Sequence, residues 1–119
     1  MVTWQVEFCD DFYLEFKELE EVVQDELLAS LTLLKALGPG LGRPHVDTLE
    51  GSKHSNMKEL RFRANDGVWR AAFAFDPART AIVLVAGDKA RSGQRRFYKQ
   101  LIKKADKRFD EHLERLKGG

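Results

Sequence analysis

The chain has 119 residues, 43% of them hydrophobic, enough for one domain with an ordinary core and no covalent staples. A lone cysteine, Cys9, excludes an internal disulfide. The opening MVTWQVEFCDDF lacks the basic and apolar regions of a secretory leader, and no apolar run is long enough to cross a bilayer, so a single cytoplasmic domain over 1–119 with no membrane partner is expected. The formal charge of +1 hides a split: residues 1–50 hold three basic and eleven acidic side chains, residues 51–119 seventeen basic and eight acidic. That asymmetry fits a polyanion-binding surface, an acidic/basic pairing of partners, or halves that neutralise each other in the fold.

In chain order, WQVEF (4–8) alternates and predicts a short strand. Asp10 or Asp11 suits an N-cap, and Phe12, Phe16 and Leu19 follow at near-helical spacing. A second helical pattern carries Val22, Val23, Leu27, Leu31, Leu34 and Leu37 and stops at Gly38-Pro39-Gly40. Together these predict an α-hairpin. Residues 41–56 hold Gly, Pro, Ser and Asn without a sustained period and read as a long loop. Three strands follow at 58–64, 68–75 and 80–86. Asp66-Gly67 is the hairpin signal between the first two, and Pro77 suits the first central position of the next turn. The run TAIVLVA predicts a central strand covered on both faces. Ser92 suits the cap of a last helix of about two dozen residues, with Phe97, Leu101, Ile102, Ala105, Phe109, Leu113 and Leu116 as its apolar stripe. The fold class is α+β.

A two-residue turn at Asp66-Gly67 sets Ala64 opposite Trp69, Phe62 opposite Ala71 and Leu60 opposite Phe73, an apolar face that also takes Phe75. The other face pairs Arg63 with Arg70 and Arg61 with Ala72. Like charges side by side on a sheet are unfavourable by some tenths of a kcal/mol. Grouped guanidiniums suit phosphate, because each offers a planar fork of donors. The alternative is that they pair with acids of the first half. Past the third strand, GDKARSGQRRFYK crowds Lys89, Arg91, Arg95, Arg96 and Lys99 around a helix start that can itself favour an anion. Tyr98 adds an aromatic ring among these cations, the combination that stacks bases and holds phosphates in single-stranded RNA. With Lys58 and Arg63, the cations Arg91, Arg95, Arg96 and Lys99 form the candidate RNA-binding set.

The motifs KELRF, GVWRAAFAFDP, GDK and RRFYKQLI, in this order from about Trp4 to the last helix, resemble the RelE/HigB superfamily of type II toxin–antitoxin systems. They are most similar to its phage-derived addiction-module killer branch. The resemblance implies a RelE-like fold: strand, α-hairpin, three-stranded antiparallel meander and C-terminal helix. It implies a toxin that enters the ribosome and cuts mRNA without a metal, by attack of a ribose 2′-OH on the adjacent phosphate. It also implies a cognate antitoxin, a small helix-turn-helix protein, for which the acidic α-hairpin is a docking surface. By the same resemblance, Arg70 in the WR pair is the transition-state cation and Arg61 a cation near the attacking group. Lys89 takes the phosphate contact where relatives carry a basic residue beside Asp88. The general base and acid stay open, with Tyr98 and His54 as candidates. An ordinary histidine pKa near 6.5 suits that work, and an exposed loop histidine is the plainer reading of His54. His45 and His112 read as surface residues, and Cys9 as a small buried hydrophobe. His45, His54 and Cys9 lack metal-ligand spacing, and no phosphate-loop, dinucleotide or HExxH motif occurs, so neither metal nor cofactor is expected. Two other readings stay open: an RNA- or protein-binding module of the same fold that does not cut, and a gyrase-poisoning toxin of the same superfamily.

Overall fold

The computed structural model describes residues 3–118. Its elements are β1 (Gln5–Phe8), α1 (Asp10–Lys17), α2 (Glu21–Leu37), a short 3-10 turn (Gly38–Gly40), β2 (Val46–Thr48), β3 (Lys58–Ala64), β4 (Gly67–Phe75), β5 (Thr80–Asp88), a second 3-10 turn (Lys89–Arg91) and α3 (Gln94–Gly118). The five strands make one sheet in the order β1-β5-β4-β3-β2. β1 runs parallel to β5, Gln5 beside Thr80 and Phe8 beside Val83; the other pairs are antiparallel. None of these helices is long and apolar enough to cross a membrane.

β5 is central, and Ala81 to Val85 are buried without a break, as a strand covered on both faces requires. The α-hairpin forms as its pattern predicts, with Phe12 of α1 and Val23, Leu27, Leu31 and Leu34 of α2 buried. Val22 and Leu37 stay 44% and 53% exposed, so they fall off the stripe. α2 ends because Gly38 turns to φ +55, and Trp4 fills the space a Cβ would need there. Phe97, Leu101, Ala105 and Phe109 carry the buried stripe of α3, flanked by Ile102 and Leu113, while Leu116 is exposed.

Several expectations are corrected. Asp10 and Asp11 lie inside the first turn of α1; Cys9 is the capping residue, with no side-chain hydrogen bond to the helix start, and the two acids act on the helix dipole instead. α3 begins at Gln94, and the Gly93 carbonyl accepts from the Phe97 N–H at 2.9 Å, so Ser92 stands one residue short of the cap. The long loop holds β2, whose three residues pair with Lys58, Glu59 and Leu60. The hairpin turn is Asn65-Asp66, at φ 49 and 63, the pair of left-handed positions that a type I′ turn needs and that Asn and Asp tolerate. Gly67 opens β4 opposite Ala64. A Cβ on it would lie 2.7 Å from Asp88 and 2.8 Å from the Trp69 ring nitrogen, so close packing demands the glycine. The register therefore slides by two residues. Both faces survive the slide, and Phe62 stacks on Trp69 at 6.0 Å. The partners change: Arg61 faces Arg70, and Arg63 faces Val68.

Candidate functional site

Period-two alternation puts Glu59, Arg61 and Arg63 in one row of β3, and the register sets Arg61 beside Arg70 of β4. Two guanidiniums side by side would repel; Glu59 resolves this. It is 3% exposed, and its Oε1 accepts from Arg61 Nε and from the Tyr98 hydroxyl, each at 3.0 Å. Arg70 Nε lies 3.4 Å from the same oxygen without hydrogen-bond geometry, and it is buried with no hydrogen-bond partner. Arg70 Nη1 donates to the Trp69 carbonyl at 2.9 Å. Asp47 on β2 takes Arg61 Nη2 at 3.3 Å and Arg43 at 2.9 Å.

This arrangement sets the protonation states. The hydrogen bond from Arg61 to Glu59 raises the guanidinium pKa further, against partial burial. Burial pushes the Tyr98 phenol above its usual value; the Arg70 guanidinium opposes that and the Glu59 charge adds to it. Tyr98 is therefore a protonated donor at neutral pH. The hydrogen bond from Arg43, then the Thr48 N–H, holds the Asp47 carboxyl below the usual range. Beside the cluster lies a cleft of about 640 Å³ whose walls include Glu26, Leu33, His45, Arg61, Arg63 and Arg70. Three arginines on one wall and α2 on the other give this solvent-reachable cleft the donor set that suits an anion.

The structure brings Arg61, Arg70 and Tyr98 together, with Lys89 Nζ 5.9 Å from the Tyr98 ring centre. Arg63 is exposed on the cleft. Arg91 is 79% exposed and 3.5 Å from Asp88. Arg95, Arg96 and Lys99 are exposed on the first turns of α3. Lys58 donates to the Thr48 hydroxyl at 3.2 Å and shares the parity of Leu60, so it lies off the arginine row. Asp88 is structural: its Oδ1 accepts from the Val68 and Ala90 N–H groups, each at 3.0 Å.

His54 stands apart. Its Nε2 contacts Asp110 at 2.8 Å and its ring meets Phe109 edge-on at 4.9 Å. Asp110 lies twelve residues along α3 from Tyr98, about 18 Å at 1.5 Å per residue. His45 is exposed, as read from the sequence. His112 is not a surface residue: its Nε2 lies 2.8 Å from Asp76 Oδ2, and their side chains are 16% and 3% exposed. Cys9 is buried, with its Sγ 3.5 Å from the Leu84 carbonyl, and burial pushes its thiol pKa up. Glu59 escaped the sequence reading, although its place two residues before Arg61 was the available signal.

A family model described as Phage derived protein Gp49-like (DUF891) matches residues 14–110. The chain belongs to this Gp49-like family. The Gp49-like chain is 46% identical over 96 residues to the putative toxin HigB2 of Mycobacterium tuberculosis (strain ATCC 25618 / H37Rv), a match covering 80% of this chain and 47% of that protein. To the putative toxin HigB3 of the same organism it is 42% identical over 104 residues, 87% of this chain and 89% of that one. It thus spans about half of the first relative and nearly all of the second. Its fold is similar to that of a mutant of the E. coli toxin RelE in the free state, with TM-score 0.64 and 16% identity over 90% of this chain and 98% of the other. It is also similar to a chain of an archaeal RelE–RelB complex from Pyrococcus horikoshii OT3, with TM-score 0.53 and 17% identity over 76% and 100%. The Gp49-like chain has the RelE-like α+β fold of the RelE/HigB superfamily.

Proposed function

We propose that this protein is the toxin of a type II toxin–antitoxin pair, a cytoplasmic single-domain protein that arrests translation by cutting mRNA in the ribosome. The observation that carries the reading is the Arg61–Arg70 pair, set across β3 and β4 at a solvent-reachable cleft with the Tyr98 hydroxyl in the same cluster. In the reaction a ribose 2′-oxygen attacks the adjacent phosphorus, the bond to the 5′-oxygen breaks, and a 2′,3′-cyclic phosphate and a 5′-hydroxyl result. Arg61 and Arg70 hold the nonbridging oxygens as charge grows on them, a role for fixed cations. Lys89 adds charge, and Tyr98 is the hydroxyl placed to exchange a proton. Arg63, Arg91, Arg95, Arg96 and Lys99 track the RNA backbone on either side, and Lys58, off the arginine row, drops out of that set.

The toxin names of the relatives and the RelE–RelB complex among the neighbours support an antitoxin partner. On the acidic α-hairpin, Glu15 is committed to Arg108 and Glu20 to Asn65; Glu18, Glu21, Asp25 and Glu26 remain exposed for docking. One observation favours a binding module that does not cut: among the described residues no histidine side chain is hydrogen-bonded to the cluster, although His45 lines the cleft, and the Tyr98 proton is already engaged by Glu59. Inducible expression in bacteria with mRNA 5′ ends mapped, wild type beside Arg70→Ala, separates the readings. Codon-phased cuts that fall by about a hundredfold or more in the variant establish the nuclease. Normal growth and intact mRNA with folded wild type leave the binding module. Arrest with intact mRNA points to gyrase.

A further inference from the structure

Glu59 has no step in that reaction, yet it is the buried acid on which Arg61 and Tyr98 converge. Its neighbours fix a charge count. The arginine pair and Glu59 alone sum to one positive charge, two guanidiniums against one carboxylate. Asp47, which also touches Arg61, has its own cation in Arg43. Glu26 and Arg63, of opposite sign, line the same cleft and are both exposed to water, where their charges are screened. Lys89, half-buried, stands over the Tyr98 ring with Nζ 5.9 Å from its centre, and its attraction is the same whether or not Glu59 is charged. The buried, unbonded Arg70 Nε shows that this arginine's donors are not spent on the carboxylate. One phosphodiester carries one negative charge and balances the pair and Glu59. A terminal phosphomonoester carries −1.5 to −2 near neutral pH, which leaves excess negative charge beside a buried carboxylate, and desolvating it costs more. Attraction to the guanidiniums and repulsion from Glu59 both grow with the ligand's charge, so Glu59 subtracts more from a dianion's binding than from a monoanion's.

We propose that Glu59 is a charge selector, which makes the arginine pair favour an internal phosphodiester of RNA over a terminal phosphomonoester. The proposal rests on reading the pair as a phosphate site and adds a specificity determinant to it. A cut end that opens from cyclic diester to monoester is then disfavoured at the site.

The test compares two probes that cannot be cut: a deoxydinucleotide with one internal phosphodiester, and a deoxynucleoside 3′-monophosphate of the same base. Binding is read from the side-chain Nε–Hε NMR signals of Arg61 and Arg70 in the full chain, wild type and Glu59→Gln. Glutamine keeps an oxygen that accepts from Arg61 and Tyr98, so a purely positioning role changes both affinities alike. A selector gives a monoester gain about tenfold larger than the diester gain. Equal changes, or a larger gain for the diester, overturn the selector and leave the phosphate site standing. If neither probe moves the arginine signals in either protein, the phosphate-site reading falls with it. Wild type alone gives a second check, independent of the variant's folding. Lowering the pH from about 7.5 to about 5.5 removes the monoester's second charge, whose pKa is near 6. Monoester affinity relative to diester then rises if Glu59 selects, and a flat or falling ratio refutes it.

Discussion

The two ends of α3 handle charge in opposite ways. Its second half is tied down by paired groups: Arg108 to Glu15 at 2.5 Å and to the Leu84 carbonyl at 2.8 Å, Arg115 to Asp10, His112 to buried Asp76. Residues 52–54 strap the same half, with the Ser52 hydroxyl on Asp106 and both Lys53 and His54 on Asp110. The first turns carry Arg95, Arg96 and Lys99 exposed, with no ion pair recorded for them among the described residues. Part of the sequence's charge split is thus cancelled, between α1 and the end of α3. The rest is left uncancelled beside the arginine pair, where an outside anion can be the partner.

If that contrast is functional, the ends respond differently to mutation. Tyr98→Phe keeps the ring against the sheet and removes one hydroxyl. We expect mRNA cleavage to fall about a hundredfold with stability changed by less than about 1 kcal/mol, read by primer extension and thermal melting. Arg108→Ala should do the reverse. It leaves the Leu84 carbonyl and Glu15 without their donor and should cost about 2 kcal/mol, while cleavage per folded molecule holds. Equal effects of the two substitutions on both readouts would erase the contrast. The smallest effect is at Asp110, whose carboxyl pKa is held below its usual value, first by the hydrogen bond from Lys53 and also by His54. A depressed carboxyl contributes stability that is fully present above its unfolded value, near 4, and is lost as pH falls through the folded one. Asp110→Asn should therefore be slightly less stable than wild type at neutral pH, with the gap closing as pH falls below the carboxyl's unfolded value, followed by circular dichroism. A gap that persists there would assign the strap to packing.

The meander was legible because alternation, a turn signal and an unbroken apolar run all agreed, and β3 falls on residues 58–64 as read. The turn was misplaced because two signals overlapped. Asp66-Gly67 is the commoner pair, but Gly67 is required by Asp88 and Trp69 rather than by the bend. A slide of two preserves faces and changes neighbours, so the arginine row was right while the pairing of Arg61 with Arg70 was not foreseen. β2 was invisible because three residues on an edge carry no period. The acids that complete the clusters, Glu59 at one end and Asp76 and Asp110 at the other, lie 39, 36 and 56 residues from Tyr98, His112 and His54. Only the fold joins them.

The parallel pairing of β1 with β5 has a temporal consequence. Residues 5–8 have no sheet partner until residues 80–83 have been made, and long-range closures of this kind form late. Glu59 waits longer for Tyr98. A nascent chain therefore carries its arginines without the site that joins them at least until residue 98 has been made, and the ribosome making the protein meets them before the cluster can close.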